Sequence, residues 1–280
     1  MRLLGAELRR LTHRRAILWL FIALVILCAG FSVLVWYTTR PPRADPVTLQ
    51  GYLVGIGGDV IGTGIATGEA ACIAGLLALL MGAMFVGGEF ASGSIATWLT
   101  FEPRRTRVYV TKLVAVAIGA IVFSIVDEAI LTAGTWLALR INNADTTVPS
   151  DFWLRTYAPR VGWVALLVVA GGVAGAGLTF ALRHTAAVIG LIAGYGVIAE
   201  GILPNFLDTA QPYLLVNNIF AFADGKLVYS LRNCSTDASG YNCQWIDHTL
   251  TRPHAAIELG AILLVSVVAG WAVFRRAEVK

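Results

Sequence analysis

Three stretches of this sequence reach the length of a membrane crossing without a charged residue: Ala16 to Trp36, Ala70 to Gly88 and Val161 to Leu182. A helix needs about 20 mostly apolar residues to cross the hydrocarbon layer, and inside it every backbone N–H and C=O must be paired within the chain. Three further runs carry only carboxylates inside an apolar stretch. Leu113 to Leu139 holds Asp127 and Glu128, Thr185 to Leu203 holds Glu200, and Ala255 to Phe274 holds Glu258. Apolar residues make up 57% of the 280 and charged residues 14%, too little polar surface to cover a water-soluble domain. The expectation is an all-α integral membrane protein, one domain over 1–280 with six transmembrane helices. An outer-membrane barrel would alternate in ten-residue segments and does not fit. The first run lacks a small-residue cleavage site and reads as a retained anchor rather than a signal peptide.

Basic residues set the orientation. With both termini in the cytosol, the inside segments hold thirteen Arg and Lys against Glu7, Glu89, Glu102 and Glu278, and the rest of the chain is net negative. That asymmetry follows the positive-inside rule. It argues for a multi-pass protein of a bacterial cytoplasmic membrane and against a nucleic-acid partner. Residues 1–15 place Leu4, Leu8 and Leu11 at helical spacing among arginines, predicting an amphipathic helix in the membrane interface, with Arg9, Arg10, Arg14 and Arg15 on lipid headgroups. The segment 204–254 is predicted to be an external cap: short re-entrant helices broken by Pro204 and Pro212, then a loop closed by a Cys234–Cys243 disulfide in an oxidising compartment. Spans four and five, joined only by Arg183 and His184, read as a tight antiparallel pair. Gly171, Gly172, Gly175 and Gly177 permit close helix contact.

Catalytic signatures are missing. The glycine-rich stretch near Gly55 has no following Lys-Ser or Lys-Thr and falls outside the cytosol, so it is not a phosphate cradle. No zinc spacing occurs, so no metal is expected, and every histidine lies outside the apolar runs. Asp127 and Glu128 are neighbours, roughly 100° apart around a helix, and cannot face each other as an aspartyl dyad. Because spans alternate in direction, Glu69, Asp127, Glu128, Glu200 and Glu258 gather toward the outer side. Asp127, Glu128 and Glu200 are pathway candidates in an exit region for cationic cargo; the alternative is that they snorkel or cap helices.

Between the second and third spans, Glu89 to Lys112 is too apolar for a solvated linker, with Phe90, Ile95, Trp98, Leu99 and Phe101. Such a segment requires a partner surface. Its order of Glu89, Gly93-Ser94, Leu99-Thr100, Pro103, Arg104-Arg105, Arg107 and Lys112 resembles the permease subunits of type-2 ABC exporters, as do the six spans, the interfacial amino-terminal helix and the short helices before the last span. The disulfide loop is longer than that family requires.

The resemblance implies a coupling helix in this cytosolic loop, docked on a separate ATPase subunit through Glu89, Phe90, Gly93, Ser94, Ile95, Trp98, Phe101, Pro103, Arg104 and Arg105. Arg107 and Lys112 would join the headgroup anchors. ATP and Mg would be bound by the ATPase, with no cofactor and no enzymatic chemistry on this chain. A second permease copy or paralogue would complete the pathway for a drug-, lipid- or peptide-like substrate. The alternatives are an ion-coupled secondary carrier using Asp127, Glu128 and Glu200, and a non-transporting membrane regulator.

Overall fold

The computed structural model describes residues 2–40, 48–54, 68–101, 104–237 and 240–276. Within these, six helices are long and apolar enough to cross a membrane, which makes the chain a mostly helical, multi-pass membrane protein. They are α2 (Arg15–Thr38), α4 (Gly68–Ala91), α6 (Arg105–Ile141), α7 (Ala158–Leu182), α8 (Thr185–Tyr195), whose span runs on to Ile202, and α10 (Arg252–Arg276). A π-helical turn over Trp153–Tyr157 precedes α7, and another over Gly196–Ile202 extends α8. Shorter helices fill the connections: α1 (Arg2–His13), α3 (Leu49–Val54), α5 (Ser94–Phe101) and α9 (Leu215–Asp224).

The centre is the pair α4 and α7, held at close range by glycines. A Cβ added at Gly82, Gly171 or Gly175 would run into the backbone of the facing helix. Without a hydrophobic drive between helices in lipid, such backbone approach is the main source of attraction. Gly177 makes the same kind of approach to Ser266 of α10, and Gly270 answers it. The glycine-rich face of α7 is therefore spent on α4 and α10, not on α8, the helix that follows it. Only 6% of the α8 span is buried, against 50% of the α4 span.

On the other side α6 lies along α2. Phe21 meets the Phe123 ring edge-on at 5.0 Å, and Ser32 fills the notch at Gly134. Asn142, just past α6, donates to the Trp36 carbonyl at 2.7 Å and to Thr39 Oγ1 at 2.6 Å, tying the two helix ends.

The cap differs from expectation. After 3-10 turns over Leu203–Asn205 and Asp208–Tyr213 comes α9, and then a β-hairpin, β1 (Lys226–Asp237) and β2 (Gly240–Thr251), in place of a loop. Both strands are rich in β-branched and aromatic residues, including Val228, Tyr229, Thr236, Tyr241, Trp245, Ile246 and Thr249. Register pairs Lys226 with Thr251 and Asp237 with Gly240. Arg252 joins the cap to α10: it donates to the Phe222 and Ala223 carbonyls at 2.8 and 3.2 Å, at the carboxyl end of α9 where a cation is favoured.

Candidate functional site

Two groups of charged side chains lie inside the bundle, one around Lys112 near the start of α6 and the other past its middle, at Asp127 and Glu128. The first begins at Glu89, in the last turn of α4. A carboxylate there opposes the partial negative charge of the helix terminus, so it needs cations around it. Glu89 is 0% exposed, Lys112 of α6 is 0% exposed and Glu7 of α1 is 1% exposed. Lys112 Nζ lies 2.9 Å from Glu7 Oε2 and in direct contact with Glu89 Oε2. Arg14 Nη2 is 3.4 Å from Glu89 Oε1, and Arg10 reaches the same oxygen at 3.9 Å. Arg14 also donates to the Met84 and Phe85 carbonyls, in space that a side chain at Gly88 would occupy. Three helices distant in sequence are thus riveted together by alternating charges.

This cluster corrects several sequence expectations. Lys112 cannot meet a lipid headgroup, because its ammonium is enclosed between two carboxylates. Glu89 likewise offers no surface to a partner. Arg14 is turned inward and Arg10 is partly so, whereas Arg9 and Arg15 are exposed. The apolar stripe of α1 faces protein rather than lipid, with Leu11 buried against Gly119 of α6. A signal was available: Glu7 falls within the stripe Leu4, Leu8, Leu11, and a charge on a buried face demands a partner.

The predicted coupling segment is a distinct helix. Gly93 turns the chain at φ +67°, a left-handed conformation that suits glycine, and α5 begins at Ser94. Ser92 and Ser94 share a 3.1 Å hydrogen bond beside the Glu89 carbonyl. Ile95 is buried, and Phe90 sits edge-on to Phe180 at 5.9 Å, so both side chains are committed inward. Trp98 and Phe101 contribute to α5; Pro103 lies outside the described residues, as do 41–47 and 55–67 of the glycine-rich connection. Arg104 and Arg107 are exposed, and Arg105 donates to the Phe274 and Arg275 carbonyls at the end of α10. These arginines rim a cavity of about 650 Å³ beside Thr106, Val110 and Thr111.

The second group is Asp127 and Glu128, 3% and 5% exposed. Glu128 lies sixteen residues beyond Lys112, about 24 Å along the helix. The pair diverges as helical spacing requires. Cys28 of α2 donates to Asp127 Oδ1 at 3.2 Å, while Tyr157 donates to Glu128 Oε2 at 3.1 Å and is itself in short contact with Thr132. Among the described residues, Asp127 Oδ2 and Glu128 Oε1 have no hydrogen-bond partner. Glu200 does not join them. It accepts the Val216 N–H at 3.1 Å in the first turn of α9, beside Tyr195, whose hydroxyl accepts the Leu215 N–H. The helix-capping alternative is the one it satisfies. Glu258 is half-buried on α10.

On the hairpin, register places Cys234 opposite Cys243, whereas Cys28 and Cys72 are not in disulfides. Past the end of α6, the Thr147 hydroxyl and backbone N–H both donate to Asp145, holding its carboxyl below the ordinary range. Among the described residues, no three His, Cys, Asp or Glu side chains converge as metal ligands.

Six apolar spans, with a buried ion cluster and a buried carboxyl pair about 24 Å apart along α6, define a multi-pass membrane protein. The sequence matches no family model and no curated protein.

Proposed function

We propose that this chain is the permease subunit of an ATP-driven exporter in a bacterial cell membrane, with both termini and α5 in the cytosol. The observation that carries the reading is α5: an eight-residue helix set off from α4 by the left-handed Gly93 and followed at once by the arginines of α6. A short helix at the cytosolic end of two spans is suited to receiving a push from an ATPase that binds ATP and Mg. The buried Glu7, Lys112 and Glu89 would pass that push into α1, α4 and α6 as one body, since an ion cluster enclosed in protein resists separation. With Glu89, Phe90 and Ile95 turned inward, the docking surface consists of exposed positions such as Thr97, Thr100 and Arg104.

A second copy or paralogue would complete the pathway. The α2 and α8 spans, 22% and 6% buried, leave broad apolar faces for that copy and for lipid. A disulfide between Cys234 and Cys243 is supported by their paired register on the cap that this topology places outside.

The test is co-purification with the ATPase subunit, followed by crosslinking from a T97C variant. Crosslinks to the ATPase and ATP-dependent efflux from vesicles are expected. Absence of both would sink the reading. The oxygens of Asp127 and Glu128 that lack a hydrogen-bond partner among the described residues favour a second reading, an ion-coupled carrier. Transport driven by a proton gradient without ATP would select it.

A further inference from the structure

Beside Glu128 the structure holds a cavity of about 400 Å³. One wall is a single face of α6, where Glu128, Thr132 and Trp136 recur at every fourth residue. The other is Trp153 and Tyr157, also four apart, on the π-helical turn that leads into α7. These two rings meet edge-on at 5.4 Å, and Phe152 backs them at 5.8 and 6.4 Å. A π-turn changes which side chains face inward, and such turns recur at functional sites.

The chemistry of the lining is uneven. The walls are aromatic and aliphatic, and the polar exception that stands out is the Glu128 carboxyl. One of its oxygens is occupied by the Tyr157 hydroxyl, and the other, Oε1, is buried with no hydrogen-bond partner among the described residues. A carboxylate withdrawn from water and left half-paired calls for a positive charge. No ion pair to Glu128 or Asp127 forms among the described residues; the nearby Arg140 lies over the Trp136 ring at 5.0 Å. That arginine takes one face of Trp136, so Trp153 and Tyr157 supply the rings left to a guest. Aromatic faces beside a carboxylate attract organic cations by cation–π and Coulomb forces together.

We propose that this cavity binds a lipophilic monocation, its charge against Glu128 Oε1 and its apolar body against Trp153, Tyr157 and Leu49. As a cargo site it rests on the exporter reading; as a binding site it does not. A drug-like ammonium or phosphonium ion and the ammonium of a membrane lipid share this chemistry.

The experiment therefore measures binding alone, on the full chain purified in maltoside detergent without ATP or a partner. The probe is radiolabelled tetraphenylphosphonium in equilibrium dialysis. Saturable binding is expected, weakened at least about tenfold by E128Q, a loss of about 1.4 kcal/mol. A133F fills the cavity from an exposed position and leaves the carboxyl in place, and it should weaken binding to a similar degree. Both variants should keep the elution profile and melting temperature of the parent.

Phosphatidylethanolamine is then added as competitor. Displacement of the probe assigns the site to a lipid ammonium, and lack of displacement assigns it to a free cation. Absence of saturable binding to the parent chain would overturn the proposal. So would a folded E128Q that binds within twofold of the parent, or an A133F that binds normally. Failure of ATPase co-purification alongside normal probe binding would reject the exporter reading and leave the site standing.

Discussion

Replacing Lys112 with Met keeps most of the side-chain volume and removes a cation that touches two buried carboxylates. Glu89 would retain Arg14 at 3.4 Å and Arg10 at 3.9 Å, whereas Glu7 would lose the partner that neutralises it. Removing one member of a buried pair costs about 3–5 kcal/mol, because a charge is left enclosed, while an exposed pair is worth about 0–1 kcal/mol. With Glu7 and Glu89 at 1% and 0% exposure, the buried figure applies to K112M. The double variant E7L/K112M removes both charges of the Glu7 pair and leaves Glu89 to Arg14, so most of the loss should return. The assay is unfolding in mixed maltoside and dodecyl sulfate micelles, followed by tryptophan fluorescence. Trypsin sensitivity after the exposed Arg9 reports release of α1. A K112M protein within about 1 kcal/mol of the parent, or a double variant no better than the single, would refute the buried-network account.

Leucine at Gly175 should destabilise the bundle by about 1–3 kcal/mol or more in the same assay, since its Cβ would collide with the Leu79 backbone; alanine at Gly190, with open space around it, should change little. Substituting Arg252 with Ala strips two carbonyls at the end of α9 of their donor, and faster amide exchange in α9 with about 1–2 kcal/mol lost is expected. E200Q should weaken the start of α9 by about 0.5–1 kcal/mol through loss of the negative charge, seen as faster exchange there but not in α6. The depressed carboxyl of Asp145 contributes stability above its unfolded pKa that is lost as pH falls through the lower folded value. T147V removes the larger of the two donors, so an NMR titration of Asp145 should move back toward the ordinary carboxylate range.

Much of the candidate site was open to inspection in the one-dimensional pattern, and the boundary is instructive. Asp127 and Glu128 stand out as charges in an apolar run, and their divergence around α6 follows from adjacency alone. That Tyr157 closes on one and Cys28 on the other does not, because those contacts span 29 and 99 residues. Glu200 has the same appearance in sequence as Glu128, yet it caps a helix that begins 15 residues later. The hairpin shows the opposite case: 226–251 is rich in β-branched and aromatic residues, and its two cysteines pointed to a loop instead.

What the sequence by itself determined is the set of crossings. The bilayer demands long apolar helices whatever their neighbours, so six spans can be read from local composition. The positions of Gly93 and of the glycines on α7 are equally local requirements for a turn and for close approach. Which helix each glycine would meet, and whether Glu89, Lys112 and Glu7 face lipid, a partner or one another, depends on how the spans are arranged. A free charge and a paired charge look identical along the chain, and only the fold brings α1, α4 and α6 close enough for Lys112, with Arg14 and Arg10, to offset the two buried carboxylates.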